Sequence, residues 1–583
     1  MYNPYLRTLS LALLATSLLL AGCSSHDEDY DCPNEQPQDI LSCFSADGKA
    51  WLTLDINLSD QHQTRAVTFD DGTAGEQAVK SLTLVLFHGT GTEDAMQVAS
   101  TYNVGYEAEA DGHVQVTSHS RRTIQLSADN LNSGDNLAIL AIANVSPAIT
   151  AGQTFAEVKS VTLSSITNNI SGTDYFIMSN SPLATNNDGT GTVITLMPIS
   201  SASLYASESQ AESNPAGQIY LERAAVKVTV DTHASLDLRV AGNTNIDFTR
   251  ADMQYSLYNY NTDYYLVRHF DDSWLPYNAS STGYRFAETV ALSTGKYRTY
   301  WATDANYDNS STPDALFKQW QAMGASDYCA ENTFAVSHMQ DDCTTSVLVR
   351  LQLNGGNNFY TTNVTGSDVI YQEPATTISE EGTSANQSFA RRRSSEVSTA
   401  KPIDEYLREW LWQTNSDLRN WVRTYAAGET KHIKIAVLGN STTGLATVSV
   451  TQTAQTSGAG VTAFEALALD TYLANNIVVN YYHQGYCYYR VPIKHFGDEL
   501  TPWASAPAMT GTTPAAAYAG DEANYLGRYG VVRNNWYTIS IRRVTHVGSP
   551  VIPALTQNAD DQVEQLLNAT LTIKSWTNHN QDM

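Results

Sequence analysis

Short apolar runs with a two-residue period recur along this chain, and they constrain it to β structure. WLTLDINL, residues 51–58, sets Leu52, Leu54, Ile56 and Leu58 against Thr53, Asp55 and Asn57, the period of a half-buried strand. SLTLVLF, HVQVTS, TIQLSA, NLAILAIANV, VTLSSI, TVITLMPI and AAVKVTV follow at short spacing, punctuated by Gly, Asn, Asp and Ser. The residue stock agrees, with 33 Tyr against 14 Phe, since Tyr, Thr, Val and Ile suit a pleated, half-buried surface. At 583 residues the chain is too long for one small domain. The pattern predicts a mainly β protein built as two β-sandwiches in tandem, over residues 66–232 and 233–583. One stretch, residues 403–425, has a clear helical period through Tyr406, Trp410, Asp417 and Trp421, and predicts a helical insertion in the second sandwich. Residues 355–400, rich in Asn, Ser, Thr and Glu, predict a long exposed loop.

The chain opens on a targeting segment. Arg7 precedes an apolar stretch at residues 9–20, too short to span a bilayer comfortably, which runs into Leu20-Ala21-Gly22-Cys23. This resembles the lipobox of bacterial lipoproteins, which implies a signal peptide at 1–22, acylation of Cys23 and anchorage of the precursor to the outer membrane. The alternative is an ordinary secretory signal with an incidental Cys. The acidic SSHDEDYD behind Cys23 resembles a surface-export signal, and residues 24–48 read as a polar tether.

A formal net charge of -27 argues against nucleic acid and against a polybasic grip on anionic lipid. No metalloprotease, nucleophile-elbow or P-loop motif is present, and His483 and His495 lack a tight ligand spacing. Acidic pairs such as Asp70-Asp71, Asp341-Asp342 and Glu380-Glu381 come without EF-hand spacing. The residues therefore point to no enzyme, no cofactor and no metal. Cys329 and Cys343 are close enough in sequence for an exported chain to join them, whereas Cys487 reads as a buried small apolar residue.

Five blocks carry a resemblance: SLTLVLFHG at 81–89, LAILAIANV at 137–145, FIMSNSPLA at 176–184, LERAAVKVTV at 221–230 and YLGRYGVVRNNWYTISIRRVTHVGSP at 525–550. With the lipobox they identify the chain as a member of the fimbrillin family of Bacteroidales. The resemblance implies two transthyretin-like, Greek-key β-sandwiches, a lipoprotein precursor, cleavage by an arginine-specific protease and assembly into a surface filament.

Within that family the propeptide ends at a lone Arg before an Ala, which here is Arg65-Ala66, making residues 23–65 the propeptide. The residues themselves suit this: Gln61, His62, Gln63 and Thr64 are polar and unpatterned, and a trypsin-like pocket needs one long cation in an accessible segment. Before the cut, strand 51–58 can complete the first sandwich. Afterwards its departure would open a groove for a neighbour's strand. The family's donor is the C-terminal strand, here 569–576 with Ala569, Leu571 and Ile573 alternating. The alternative is that this strand stays packed in its own domain. The expected product is a head-to-tail homopolymer that works with accessory tip and anchor subunits and binds host or bacterial surface receptors. Two other readings stay open at this level: a tip or accessory subunit, and a glycan-binding surface lipoprotein using aromatics such as Trp274, Trp301 and Trp320.

Overall fold

In this computed structural model the described residues are 39–57, 72–105, 119–188, 190–240, 246–274, 286–288, 291–307, 313, 315–374, 401–495, 525–560 and 567–575. The first sheet has eight strands: β1 (Lys49–Asn57), β2 (Ser81–Gly89), β3 (Gln97–Gly105), β4 (His119–Ser127), β5 (Asn136–Ala143), β6 (Met178–Asn180), β7 (Met197–Ile199) and β8 (Gln218–Arg223). They lie in the order β3-β2-β5-β6-β8-β1-β4, with β7 also paired to β5. Three short helices accompany them: α1 (Ala74–Gln77), α2 (Phe155–Lys159) and α3 (Glu208–Ser213). β2 is apolar almost throughout because both its faces are covered. Leu82, Leu84 and Leu86 join Leu137, Ile139, Leu52 and Leu54 in one core, while Val85 and Phe87 join Leu140, Ile142 and Phe155 in another.

The rest of the chain supplies β9 (Val226–Asp237), β10 (Phe248–Tyr260), β11 (Ala315–Phe317), β12 (Ser326–Cys329), β13 (Ser346–Leu353), β14 (Phe359–Thr362) and β15 (Gly366–Tyr371). Helices α4 (Ile403–Thr414) and α5 (Ser416–Tyr425) precede β16 (Ile433–Asn440) and β17 (Leu445–Gln452). Next come α6 (Ala459–Glu465), α7 (Leu469–Asn476), β18 (Val479–Tyr482), β19 (Tyr486–Pro492), β20 (Asn535–Val544) and β21 (Leu567–Ser575). A four-stranded sheet, β12-β9-β20-β21, faces a sheet running β11-β10-β13-β19. Val228, Val230, Tyr537 and Ile539 of the former pack with Tyr255, Leu257, Val349 and Tyr489 of the latter, which makes a sandwich. A third sheet, β15-β14-β18-β17-β16, carries the helices, with Leu407, Leu411, Leu418 and Trp421 packed on Ile433, Val450 and Val479.

Four expectations change. AAVKVTV, read as the last strand of the first sandwich, is β9 of the C-terminal sheet, where it pairs in parallel with β20. Its period specifies a strand but not which sheet receives it. The helix at 403–425 is two helices, because the Asn415 side chain accepts from the Leu418 amide at 2.8 Å and starts a new one. Within 355–400, residues 359–371 form β14 and β15 rather than loop, as Phe359 and Tyr360 pair with Tyr482 and Tyr481; residues 375–400 lie outside the described set. The tether ends early: Ile40–Cys43 is a 3-10 turn, and Ile40, Cys43 and Phe44 sit in the first core.

Candidate assembly groove

β1 lies inside the first sheet, not on its edge. It runs antiparallel to β4 over nine residue pairs, from Lys49 opposite Ser127 to Asn57 opposite His119. On its other side it runs parallel to β8 from Asp55 to Asn57, and the Asp55 amide donates to the Gly217 carbonyl at 3.0 Å. Further back the Trp51 amide donates to the Tyr205 carbonyl at 2.7 Å, and the Thr53 carbonyl accepts from the Ala216 amide at 2.8 Å. Leu52 and Leu54 are fully buried and Ile56 is 2 % exposed. Leu58 lies outside the described residues.

The strand is buried on its polar face as well, where the alternation predicts half-burial. Thr53 and Asp55 are both buried, and α3 packs on β1 and β4. Their polar atoms are satisfied across the strand pair: the Thr53 and Thr123 hydroxyls are 2.7 Å apart, and Arg121 donates to the two Asp55 carboxylate oxygens at 2.8 and 3.2 Å. Arg121, which strand patterning did not single out, is thus matched to a residue 66 positions away.

Cys23, Arg65 and Ala66 fall outside the described residues. The described residues continue from Gly72 into α1, which is held in a tight clamp. Glu76 accepts from the Thr73 amide at 2.6 Å in a capping box, receives the Tyr328 hydroxyl, and pairs with Lys227 Nζ at 3.0 Å. Lys227 Nζ also stands 3.5 Å from the centre of the Trp536 ring. Burial pushes the Glu76 carboxyl up, but the bonds from Tyr328 and the Thr73 amide and the Lys227 charge together hold it below its ordinary value. α1 is thereby fastened to the four-stranded C-terminal sheet, since Lys227 belongs to β9, Tyr328 to β12 and Trp536 to β20.

The second candidate strand is far from the first in topology. β21 is bonded antiparallel along β20, with Ala569, Leu571 and Ile573 opposite Ile541, Ile539 and Tyr537. Ala569 packs against the second core. The structure therefore places residues 51–57 and 567–575 in different sheets of one chain.

The disulfide between Cys329 and Cys343 is not formed; both are free and buried, as is Cys487. Cys329 faces the second sandwich core from β12, while Cys343 faces a separate aromatic cluster with Trp301 and Phe334, so the two thiols serve different cores. Burial pushes the Cys329 thiol up to about 12. Cys43 is disulfide-bonded. Trp274 and Trp301 are core residues and offer no face to a sugar, and Trp320 is already stacked with Arg350, whose guanidinium carbon lies 4.4 Å from the ring centre. Among the described residues no group of three His, Cys, Asp or Glu could hold a metal ion, and no helix is long and apolar enough to cross a membrane.

His495 is buried beside Tyr537, with Nδ1 2.6 Å from the phenolic oxygen. Burial, with the Arg268 charge nearby, pushes its pKa down to about 3. Because the unfolded chain binds a proton that the folded chain refuses, this residue makes stability fall as pH drops from about 6.5 towards 3. His495→Gln should shrink the stability loss between pH 7 and pH 5 by about 2 kcal/mol in urea titrations, while keeping a polar partner for Tyr537. An unchanged loss would mean that the ring is charged in the fold.

Two family models match the chain. One, described as the major fimbrial subunit protein FimA, covers residues 51–223, which begin inside β1 and end with the last residue of β8. The other, the C-terminal fimbrillin model of type IV major fimbrial subunits, covers residues 480–582 and so includes β19 to β21. The chain belongs to the fimbrillin family. Among solved structures, a fimbrilin from Porphyromonas gingivalis is 13% identical, with 91% of this chain and 99% of that chain covered at a TM-score of 0.36. A tip fimbrial protein from the same organism, truncated at its C-terminus, is 10% identical, with 90% and 100% covered at 0.30. A fimbrial assembly protein from Parabacteroides distasonis is 10% identical, with 53% and 82% covered at 0.23. No curated protein matches the sequence. As a fimbrial subunit this fimbrillin is a structural protein of a cell-surface fimbria, and its family points to polymerisation with other fimbrial proteins.

Proposed function

We propose that this fimbrillin is the shaft subunit of its fimbria, of the minor-fimbrillin kind. It is exported as a lipoprotein acylated on Cys23 and held at the outer membrane. An arginine-specific protease cuts between Arg65 and Ala66, and subunits then join head to tail by strand exchange. One observation supports this above the others: the strand upstream of the cut is an interior strand, hydrogen-bonded on both sides, with Leu52, Leu54 and Ile56 in the core.

Those three side chains are together worth roughly 5–9 kcal/mol before ordering is counted. While the chain is intact, β1 is tied to its own groove and a competitor meets it at a large disadvantage. Cutting after Arg65 removes the tie and severs the lipid from the body. A departing β1 would leave β8 and β4 with unpaired backbone edges above an apolar slot, a template for another strand. A strand offered by a second copy makes a heterologous contact that does not close, so the product is a filament. The proposed donor is residues 569–576. Its support is that β21 ends its sheet and is bonded along β20 alone among the described strands, so its release breaks one ladder where release of β1 breaks two.

Protein sheared from cells and run unboiled should give a ladder of bands whose subunits begin at Ala66. A single lipidated band beginning at Cys23 would overturn the reading. Deleting residues 567–583 should permit cleavage but stop chain growth, and fibres of normal length after that deletion would remove 569–576 as the donor.

A further inference from the structure

Arg121 is the charged group that β1 would leave behind. It stands on β4 directly opposite Asp55 and holds that carboxylate with two hydrogen bonds, at 2.8 and 3.2 Å. The Asp55 side chain is 12% exposed and the Arg121 side chain 50%. The carboxylate is thus enclosed by the groove, while the cation reaches it from the rim. Further back on this face, the Thr53 and Thr123 hydroxyls are 2.7 Å apart and Lys49 Nζ donates to the Ser127 hydroxyl at 3.3 Å. The groove is therefore no uniform apolar slot: on the Asp55 face it carries a cation at one fixed rung, with Arg122 opposite Leu54 on the other face.

The C-terminal strand LNATLTIKS contains no carboxylate. Laid in the direction of β1, it can shift in steps of two residues with its aliphatic residues still turned inward, and two of these registers differ in the charge they bring to Arg121. In one, Ala569, Leu571 and Ile573 replace Leu52, Leu54 and Ile56, so that Thr570 meets Thr123 and Thr572 meets Arg121. In the other, Leu571 and Ile573 replace Leu52 and Leu54, matching Leu571-Thr572-Ile573 to Leu52-Thr53-Leu54, and Lys574 meets Arg121. Like charges directly opposite on neighbouring strands repel, and a two-residue shift leaves the side-chain faces unchanged, so apolar burial alone does not choose between the two.

We propose that Arg121 is the specificity-determining residue of the groove. It favours an occupant with a carboxylate at the rung of Asp55, and it rejects the register that brings Lys574 there. This rests on the strand-exchange reading. It gives the resident strand an advantage that the subunit's own C-terminal strand cannot match, which guards the groove against early exchange, and it removes the register that would set Lys574 against it.

The test uses cleaved subunit with its propeptide still seated, at low ionic strength, and measures the peptide concentration that displaces half of the propeptide. Peptide 49–57 carrying Asp55→Asn should be needed at about threefold higher concentration than the unaltered peptide. Peptide 567–575 carrying Thr572→Asp should be needed at about threefold lower concentration than its parent. Both ratios should fall to one on the Arg121→Ala subunit, whose basal fold the peptide 49–57 arm checks. Ratios that persist on Arg121→Ala, or that equal one on the unaltered subunit, overturn the proposal. If the Asp55 dependence holds while no form of 567–575 displaces the propeptide, the role of Arg121 stands and the donor assignment falls.

Discussion

Arg65→Ala is expected to abolish filaments and leave a lipidated precursor on the cells. The argument is one of molecularity. An intact link keeps β1 beside its groove at an effective concentration in the millimolar range or above, which a strand on another molecule cannot match in solution. The buried face of β1 makes the imbalance steep, because Leu52, Leu54 and Ile56 are each essentially removed from water and each is worth about 1.5–3 kcal/mol. Ile40 and Phe44, just upstream, add to the same core. The measurement is an immunoblot of unboiled surface extracts together with the N-terminal sequence of the main species. The expected change is from a ladder to one band, a loss of at least a hundredfold in polymer. Filaments of normal abundance from Arg65→Ala cells would rule out cleavage after Arg65 as the trigger. Arg65→Lys serves as a companion: it keeps the charge, so polymer lost in both variants would trace to the protease's requirement for arginine.

Arg533→Met should destabilise the protein by about 3–5 kcal/mol, the largest effect expected of a single substitution away from the groove. Arg533 and Glu331 are both fully buried and bonded to each other, with Arg533 Nε 3.0 Å from Glu331 Oε1. Arg533 also donates to the Tyr265 carbonyl at 2.7 Å. Removing the cation leaves a carboxylate enclosed without its counter-charge, which costs more than the pair contributes. The location amplifies this. The neighbouring Asn534 adopts a positive φ of 60°, which Asn tolerates better than most residues, and its side chain accepts from the Arg223 amide at 3.2 Å. Its own amide donates to the Ala225 carbonyl at 2.8 Å, so this turn grips the chain where it crosses from β8 to β9. Urea denaturation of the purified subunit gives the readout. Arg533→Met/Glu331→Leu should recover much of the loss, because no charge is then left unpaired. A loss below about 1 kcal/mol for the single variant would show that the pair is not a structural constraint.

The two effects have different origins in the chain. The period of residues 51–58 announced a strand, and Leu52, Leu54 and Ile56 took the inward positions it assigned them. The position of Arg65 between two apolar runs and the ordered family blocks were also plain in the chain, as was the apolar burial of Cys487. Such features are local: a two-residue alternation, a lone cation in a polar stretch or a residue's own hydrophobicity needs no knowledge of distant partners. What the chain alone left open were the matches between residues far apart. Nothing in the spacing joined Asp55 to Arg121, Glu76 to Lys227 and Tyr328, or Arg533 to Glu331. Nor did it separate Cys329 from Cys343 into two cores, or send AAVKVTV to the second sandwich. A strand's sequence declares that it will pair and which face it will bury, but its neighbour is selected by the packing of the whole sheet. The buried charges follow that selection, because a charge removed from water is tolerated only where the completed fold supplies its partner.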